Sequence, residues 1–295
     1  LFRRVANAIA AVEREYGTLE SEIHYLSTQF EAMMANLEFL PNSPTLMNAG
    51  TEQGTLSACF VLPLEDSMEG IMDAAKDAAM VQKFGGGTGF SLSKIRPKDS
   101  HISTTHGKAC GPIEVLKTLS RISSMITQGG KRDGANMAVM SVYHPDILEF
   151  IECKHVEGEI HNFNISVGVD SNFMKCVRNE TSYTLLNPHD GSIAGELDAK
   201  TVFSKIIDGA WHNGEPGVVF LDTINKDNKV SKQFGDITAT NPCGEQPLLD
   251  YESCNLGSLN LAKFYNQEEN VIDWDKLGRT VKLAVRFLDL SLIHI

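Results

Sequence analysis

The amino-acid sequence predicts an α/β protein with a largely parallel sheet, led in by a short helical segment. Two observations predict it. Apolar residues in the first 40 positions recur at helical spacing, with no strand-like run. Beyond them, short apolar or alternating runs at 56–62, 90–95, 137–142, 163–169 and 217–221 alternate with helical stretches, the pattern of helix-connected parallel strands. No 20–50-residue repeat is visible, so nothing points to a solenoid or propeller.

In chain order, residues 1 to about 40 read as two amphipathic helices broken near Gly17-Thr18. Phe30, Met33, Met34, Leu37 and Leu40 form the core stripe of the second, and the methionines there serve packing. Pro41 closes it, because the residue before a proline is pushed out of the α region. Residues 41–50 hold two prolines, asparagines and hydroxyls and read as a stiff loop. A buried strand at 56–62 follows, whose Cys59 would by itself be taken for core. Asp66 or Ser67 can cap a helix reaching about Lys83, with Ile71, Ala74, Ala75, Ala78 and Ala79 on one side. The glycine run 84–91 comes after that helix and enters a strand. Rossmann and P-loop sites need strand, loop, then helix, and no Gly-Lys-Ser/Thr closes this run. It therefore reads as the backbone wall of a pocket rather than as a phosphate loop.

A flexible loop at 103–112, a helix from about 113 to 127 and a basic, glycine-bearing loop at 128–136 come next. A strand at 137–142 precedes His144-Pro145-Asp146, which opens a helix carrying Ile147, Phe150 and Ile151 inward. Residues 163–169 alternate as a strand, 181–200 read as a surface excursion with turns, 201–213 as a helix and 217–221 as a buried strand. At the C-terminus a helical pattern over 283–288 runs into an apolar stretch, while Leu1 to Val5 reads as the inside of a helix. The chain is therefore expected to be a piece of something longer.

Composition narrows the function. Of 295 residues, 42% are hydrophobic and 22% charged, as in an ordinary globular protein. A net charge of −12 argues against a general nucleic-acid or membrane-surface binder, which would carry a basic face. No signal peptide and no apolar run of transmembrane length is present, so a reducing cytoplasm is the expected location. The six cysteines, Cys59, Cys110, Cys153, Cys176, Cys243 and Cys254, show no CxxC pair or finger spacing, which speaks against a structural zinc site, and a chain this large and core-rich needs no disulfide framework.

The densest chemistry lies in Thr240-Asn241-Pro242-Cys243-Gly244-Glu245-Gln246-Pro247. On an extended segment, residues two apart point the same way, so Asn241, Cys243 and Glu245 would share one face. A thiol beside a carboxylate suggests the nucleophile and base of a cysteine hydrolase, but that chemistry wants a histidine to form the thiolate pair. None of the nine histidines sits in a recognisable pairing with Cys243.

Asn241-Pro242-Cys243-Gly244-Glu245-Gln246-Pro247-Leu248 followed by Ser253-Cys254-Asn255-Leu256-Gly257-Ser258-Leu259-Asn260-Leu261 resembles the finger-loop signature of the ribonucleotide reductase large subunit. Residues 40–50, Ser57-Ala58-Cys59-Phe60, Gly85 to Gly89 and Gly130 to Asn136 fit the same family in the same order, so the resemblance spans about residues 37 to 288. The short separation of Cys243 and Cys254, together with the 42–50 loop, looks most like the class II, adenosylcobalamin-dependent branch. The same-family alternative is a class I large subunit served by a separate radical-generating subunit. A non-catalytic nucleotide sensor is a further alternative, against which the retention of three thiols argues.

The resemblance implies a ten-stranded α/β barrel with a central finger loop. This chain would supply the end of a helical region (1–40) and the first half-barrel with the finger (41–295). It implies reduction of ribonucleoside diphosphates or triphosphates, with Cys243 as thiyl-radical carrier, Glu245 as general base on the 3′-OH, and Asn241 as a ribose ligand. Cys59 and Cys254 would be the dithiol oxidised to a disulfide, leaving Cys110, Cys153 and Cys176 structural. Ser43, Ala58 and Gly87 match substrate-contacting positions, Ala58 through its backbone alone. Asp66, Ser67, Met68, Lys83, Lys131 and Arg132 match the site where deoxynucleotide or ATP effectors set specificity. A homodimer and a thioredoxin- or glutaredoxin-type reductant are implied as partners. Alone, the 295-residue chain is expected to be inactive.

Overall fold

The computed structural model describes residues 1–293 apart from 53, 103–105, 129–131 and 156–157. Two compact units are formed: Leu1–Cys59 with Phe84–Gly86 and Ser253–Ile295, and Phe60–Lys83 with Gly87–Glu252.

The first unit is mainly helical. Helix Phe2–Ala11 runs through a 3-10 turn to Gly17, which takes the left-handed conformation at φ +74°, and helix Glu20–Ala35 follows. The break falls where the turn residues place it. The second helix stops before Pro41, at Ala35, and the chain enters a short strand, Phe39–Pro41, that pairs antiparallel with Gly257–Leu259. Helix Trp274–Ile293 completes the unit, and Phe287 meets Phe30 and Phe39 edge-on at 5.1 and 5.5 Å. The expected stiff loop at 41–50 contains a helix, Ser43–Asn48. Asn42 caps it by accepting from the Thr45 N–H at 2.9 Å, and Pro44 occupies the first turn where its missing N–H costs nothing.

The second unit carries the sheet. Its strands are β1 (Cys59–Val61, whose first residue belongs to the first unit), β2 (Gly87–Ser91), β3 (Asn136–Ser141), β4 (Phe163–Val169) and β5 (Gly217–Phe220). They lie side by side in chain order, and β2–β3, β3–β4 and β4–β5 pair in parallel. A doubly wound sheet would reverse direction at a switch point; strictly sequential order is barrel-type winding. With right-handed crossovers it puts the connecting helices on one face. Phe90, Leu92, Ala138, Met140, Phe163, Ile165 and Val167 fill the core with helices α1 (Met68–Lys83) and α2 (Pro112–Met125). The alternate positions, Gly87, Gly89, Met137, Asn164, Ser166 and Gly168, belong to the other face and are smaller or more polar.

Three expectations need correcting here. Leu37 and Leu40 lie beyond the second helix and are exposed, so they are not part of its core stripe. Residues 181–200 are not an irregular excursion but a hairpin, Ser182–Leu186 with Ile193–Asp198, anchored by the buried Tyr183 and Leu185. Residues 217–220 form an edge strand that is not buried, with Phe220 46% exposed, because apolar runs alone do not say which strand ends a sheet.

Candidate active site

The 240–247 stretch is a tight hairpin. Strands β6 (Ala239–Thr240) and β7 (Pro247–Leu248) pair antiparallel, and the chain reverses between them. Asn241 closes the turn: its Oδ1 accepts from the Gln246 N–H at 3.0 Å, its own N–H donates to the Gln246 carbonyl at 3.0 Å, and its carbonyl accepts from Gly244 at 3.1 Å. Gly244 adopts φ +83°, which its missing Cβ permits. The i, i+2 alignment of Asn241, Cys243 and Glu245 therefore does not hold. Asn241 is fully buried at the base, while Cys243 and Glu245 are exposed at the tip. Pro242 and Gly244 turn a segment whose composition alone reads equally well as extended.

The glycine run explains how this hairpin is seated. A Cβ on Gly89 would lie 1.8 Å from the Thr240 carbonyl oxygen, and one on Gly87 would lie 2.5 Å from Pro242 Cγ. The first half of the hairpin rests directly on the backbone of β2, so these glycines, expected to wall a pocket, make room for the hairpin. Asn164 on β4 adds a hydrogen bond from Nδ2 to the Pro242 carbonyl at 2.8 Å.

Just beneath lies a buried polar cluster that sequence inspection missed. Asn136 Oδ1 accepts from Gln82 Nε2 at 2.7 Å and Thr88 Oγ1 at 2.6 Å. Its Nδ2 donates to Ser123 Oγ at 3.2 Å and the Asn162 carbonyl at 3.0 Å. The last turn of α1 is thus tied to α2 and to the starts of β2 and β3. Each residue alone is an ordinary polar side chain, and only the fold brings them together.

In the first unit, the Ala58 N–H donates to the Cys254 carbonyl at 3.2 Å, and Ser57 Oγ lies 3.3 Å from Ser253 Oγ. The segments bearing Cys59 and Cys254 are therefore backbone neighbours despite their distance in sequence. Cys59 is buried and Cys254 half-buried. Ser43 is exposed in the first turn of its helix, and Ala58 is half-buried. In the second unit Gly87 is buried under Pro242.

Among the residues matched to the effector site, Ser67 caps α1 by accepting from the Gly70 N–H at 3.0 Å. Asp66 is held elsewhere: its carboxylate accepts from Arg96 Nε at 2.7 Å and the Arg96 N–H at 3.1 Å. Arg96 carried no signal in the sequence. Met68 and Lys83 are exposed at the two ends of α1. Lys131 and the Arg132 side chain lie outside the described residues.

A cavity of about 780 Å³ lies in the helical unit, lined by residues such as Tyr25, Gln29, Lys276 and Arg279, and holds none of these site residues. Among the described residues no group of three His, Cys, Asp or Glu side chains could hold a metal ion, and no helix is long and apolar enough to cross a membrane.

Comparison with known proteins shows the family. Residues 57–294 match the family model described as ribonucleotide reductase, barrel domain, and residues 1–54 the one described as ribonucleotide reductase, all-alpha domain. The chain belongs to the ribonucleotide reductase family. Its sequential parallel strands are those of the family's barrel domain, preceded by the all-alpha domain. It is 51% identical over 267 residues to a vitamin B12-dependent ribonucleoside-diphosphate reductase of Thermoplasma acidophilum, covering 90% of this chain and 34% of the relative. A vitamin B12-dependent ribonucleoside-diphosphate reductase of Mycobacterium tuberculosis is 45% identical over 290 residues, covering 98% and 41%. A ribonucleoside-diphosphate reductase large chain of Neurospora crassa is 29% identical over 291 residues, covering 87% and 31%. The chain thus spans between about a third and two fifths of the length of these relatives.

Proposed function

We propose that this chain is the part of an adenosylcobalamin-dependent ribonucleotide reductase that carries the reacting thiols. One observation supports the reading above the others: Cys243 stands exposed at the tip of a hairpin fixed against the glycine face of the sheet. A cysteine so placed meets a substrate without the histidine that an ionic nucleophile would need. The two bacterial and archaeal relatives named as vitamin B12-dependent support the cofactor, and their names support diphosphate substrates.

Adenosylcobalamin, when bound, would supply an organic radical, and Cys243 is the residue that would give up its thiol hydrogen to it. The exposed thiol fits as the receiving end of that exchange. The described residues offer no metal-ligand cluster of their own. The Cys243 thiyl takes the 3′-hydrogen of the ribose, and Glu245 accepts the 3′-OH proton. One thiol of Cys59 and Cys254 protonates the leaving 2′-OH, which departs as water. The pair gives up two electrons, its second hydrogen goes to C2′ and it closes as a disulfide; Glu245 returns the proton to O3′ and Cys243 returns its hydrogen to C3′. Ribonucleotide and dithiol become deoxyribonucleotide, water and disulfide. The backbone adjacency of the Cys59 and Cys254 segments supports that pairing.

In the same reading Asn241 holds the ribose, with Ser43, Ala58 and Gly87 lining the substrate. Asp66, Ser67, Met68, Lys83, Lys131 and Arg132 belong to a deoxynucleotide and ATP effector site. Residues 1–40 end a helical region, and 41–295 form the first half-barrel with its finger. Exposed methionines on α1 and α2 (Met68, Met72, Met80 and Met125) support a homodimer through these helices. Thioredoxin or glutaredoxin would reduce the disulfide, in the cytoplasm.

The test uses the intact reductase. Cys243→Ser should abolish 3′-hydrogen abstraction, whereas Cys59→Ser or Cys254→Ser should permit abstraction and block turnover. Turnover that required a separate metal-containing subunit and ignored adenosylcobalamin would overturn the cofactor assignment.

A further inference from the structure

We infer that Asn164 and Met137 are positioning residues for Cys243, and that together with Gly89 they form the seat that fixes the height and direction of the finger tip. The inference rests on the proposed role of Cys243. Its warrant is a register. Gly89 on β2 is the Cα partner of Met137 on β3, and Met137 is the partner of Asn164 on β4. These three residues make one rung running straight across the parallel sheet, all on the face away from the helices.

Each member of the rung meets a different point of the hairpin. Gly89 leaves room for the Thr240 carbonyl, which a Cβ would approach to 1.8 Å. Asn164 donates from Nδ2 to the Pro242 carbonyl at 2.8 Å. Met137 Cε would lie 3.7 Å from a Cβ on Gly244, ordinary contact distance. The Asn164 bond at Pro242 and the Met137 methyl facing the Cβ position of Gly244 bracket Cys243 in sequence. The Pro242 carbonyl belongs to the peptide plane that joins Pro242 to Cys243, so the Asn164 bond sets the rotation of that plane and with it the direction of the Cys243 Cα–Cβ bond. Met137 limits how far the tip can sink toward the sheet on the other side. A rung of a sheet is a stiff base for this purpose, because neighbouring strands hold its spacing.

Asn164 is exposed and lies in a strand whose ladder does not use its side chain, so its replacement should leave folding nearly intact. Asn164→Asp keeps the shape but, once ionised, has no proton to donate to a carbonyl. Asn164→Ala removes the group entirely. In the intact reductase both should lower kcat by about tenfold or more, with KM held within about twofold, as expected for loss of alignment rather than of substrate binding. Iodoacetamide alkylation of Cys243, followed by mass spectrometry on the native protein without cofactor or substrate, should change in rate by about threefold or more in both variants. Met137→Ala should shift the alkylation rate while leaving the Asn164 bond in place.

A normal kcat in Asn164→Asp, an effect confined to KM, or an unchanged alkylation rate would overturn the inference. If Asn164→Ala failed to fold, the isosteric Asn164→Asp and the alkylation of Met137→Ala would still decide it. Cys243→Ser separates the two levels. An active Cys243→Ser enzyme removes the radical reading itself, whereas an inactive one beside fully active Asn164 variants removes only the seat.

Discussion

Replacing Gly89 by alanine is the most direct probe of how the finger is held. The added methyl would sit 1.8 Å from the Thr240 carbonyl oxygen and 3.0 Å from its carbon. A relaxed C···O contact needs about 3.3 Å, so the hairpin must move by about 1.5 Å or β2 must give way. Neither partner is a flexible side-chain end: one is the backbone of a central strand, the other the backbone of β6. Overpacking of this kind costs about 1–3 kcal/mol and sometimes more. With two backbones as the clashing parts, the upper end of that range, about 3 kcal/mol, is expected. A displacement of about 1 Å at reacting groups costs about 100-fold in rate. Gly89→Ala should therefore lower deoxynucleotide formation by about that factor or more while leaving secondary structure by circular dichroism in place. Gly195→Ala is the control, because a Cβ there meets nothing nearer than 3.8 Å. Denaturant titration and steady-state turnover on the three proteins decide the matter. Wild-type stability and turnover in Gly89→Ala would refute the close seating of the finger on β2.

Two further outcomes concern the scaffold. Asn136→Ala removes five hydrogen bonds at a fully buried position and takes the acceptor from Thr88 beneath the hairpin, so it should cost about 3 kcal/mol or more in a denaturant titration. His144 is buried with both ring nitrogens used: Nδ1 accepts from the Asp146 N–H at 3.0 Å, so Nε2 carries the proton and donates to the Ile95 carbonyl at 2.8 Å. Burial pushes its pKa below the usual histidine value. The unfolded chain therefore binds this proton first, and the contribution of neutral His144 is fully present above about pH 6.5 and is lost as the pH falls below it. The melting temperature measured against pH should fall on the acid side of that point, and His144→Gln should flatten this part of the profile.

The sequence by itself determined a great deal. Periodicity placed several of the longer helices and strands to within a few residues: 163–169 is β4 as expected, and the glycine-bearing turn at Gly17 breaks the first two helices. These signals are local, set by side-chain spacing and by residues that cap or turn the chain. The order of motifs from residue 40 to 261 also carried the family, which the family models match. Where local signals were ambiguous, the sequence could not decide. Asn42 with Pro44 fits a stiff loop as well as a capped helix, and Asn241 to Gln246 fits an extended segment as well as a turn. Only tertiary structure chose between them. It also decided what no single segment contains: that Gly89, Met137 and Asn164 share one rung, and that Gln82, Thr88, Ser123 and Asn136 share one buried cluster. The residues 57–59 and 253–254 likewise become neighbours only through the fold. Such juxtapositions follow from strand register and close packing between residues far apart in the chain, and a linear pattern holds no record of either.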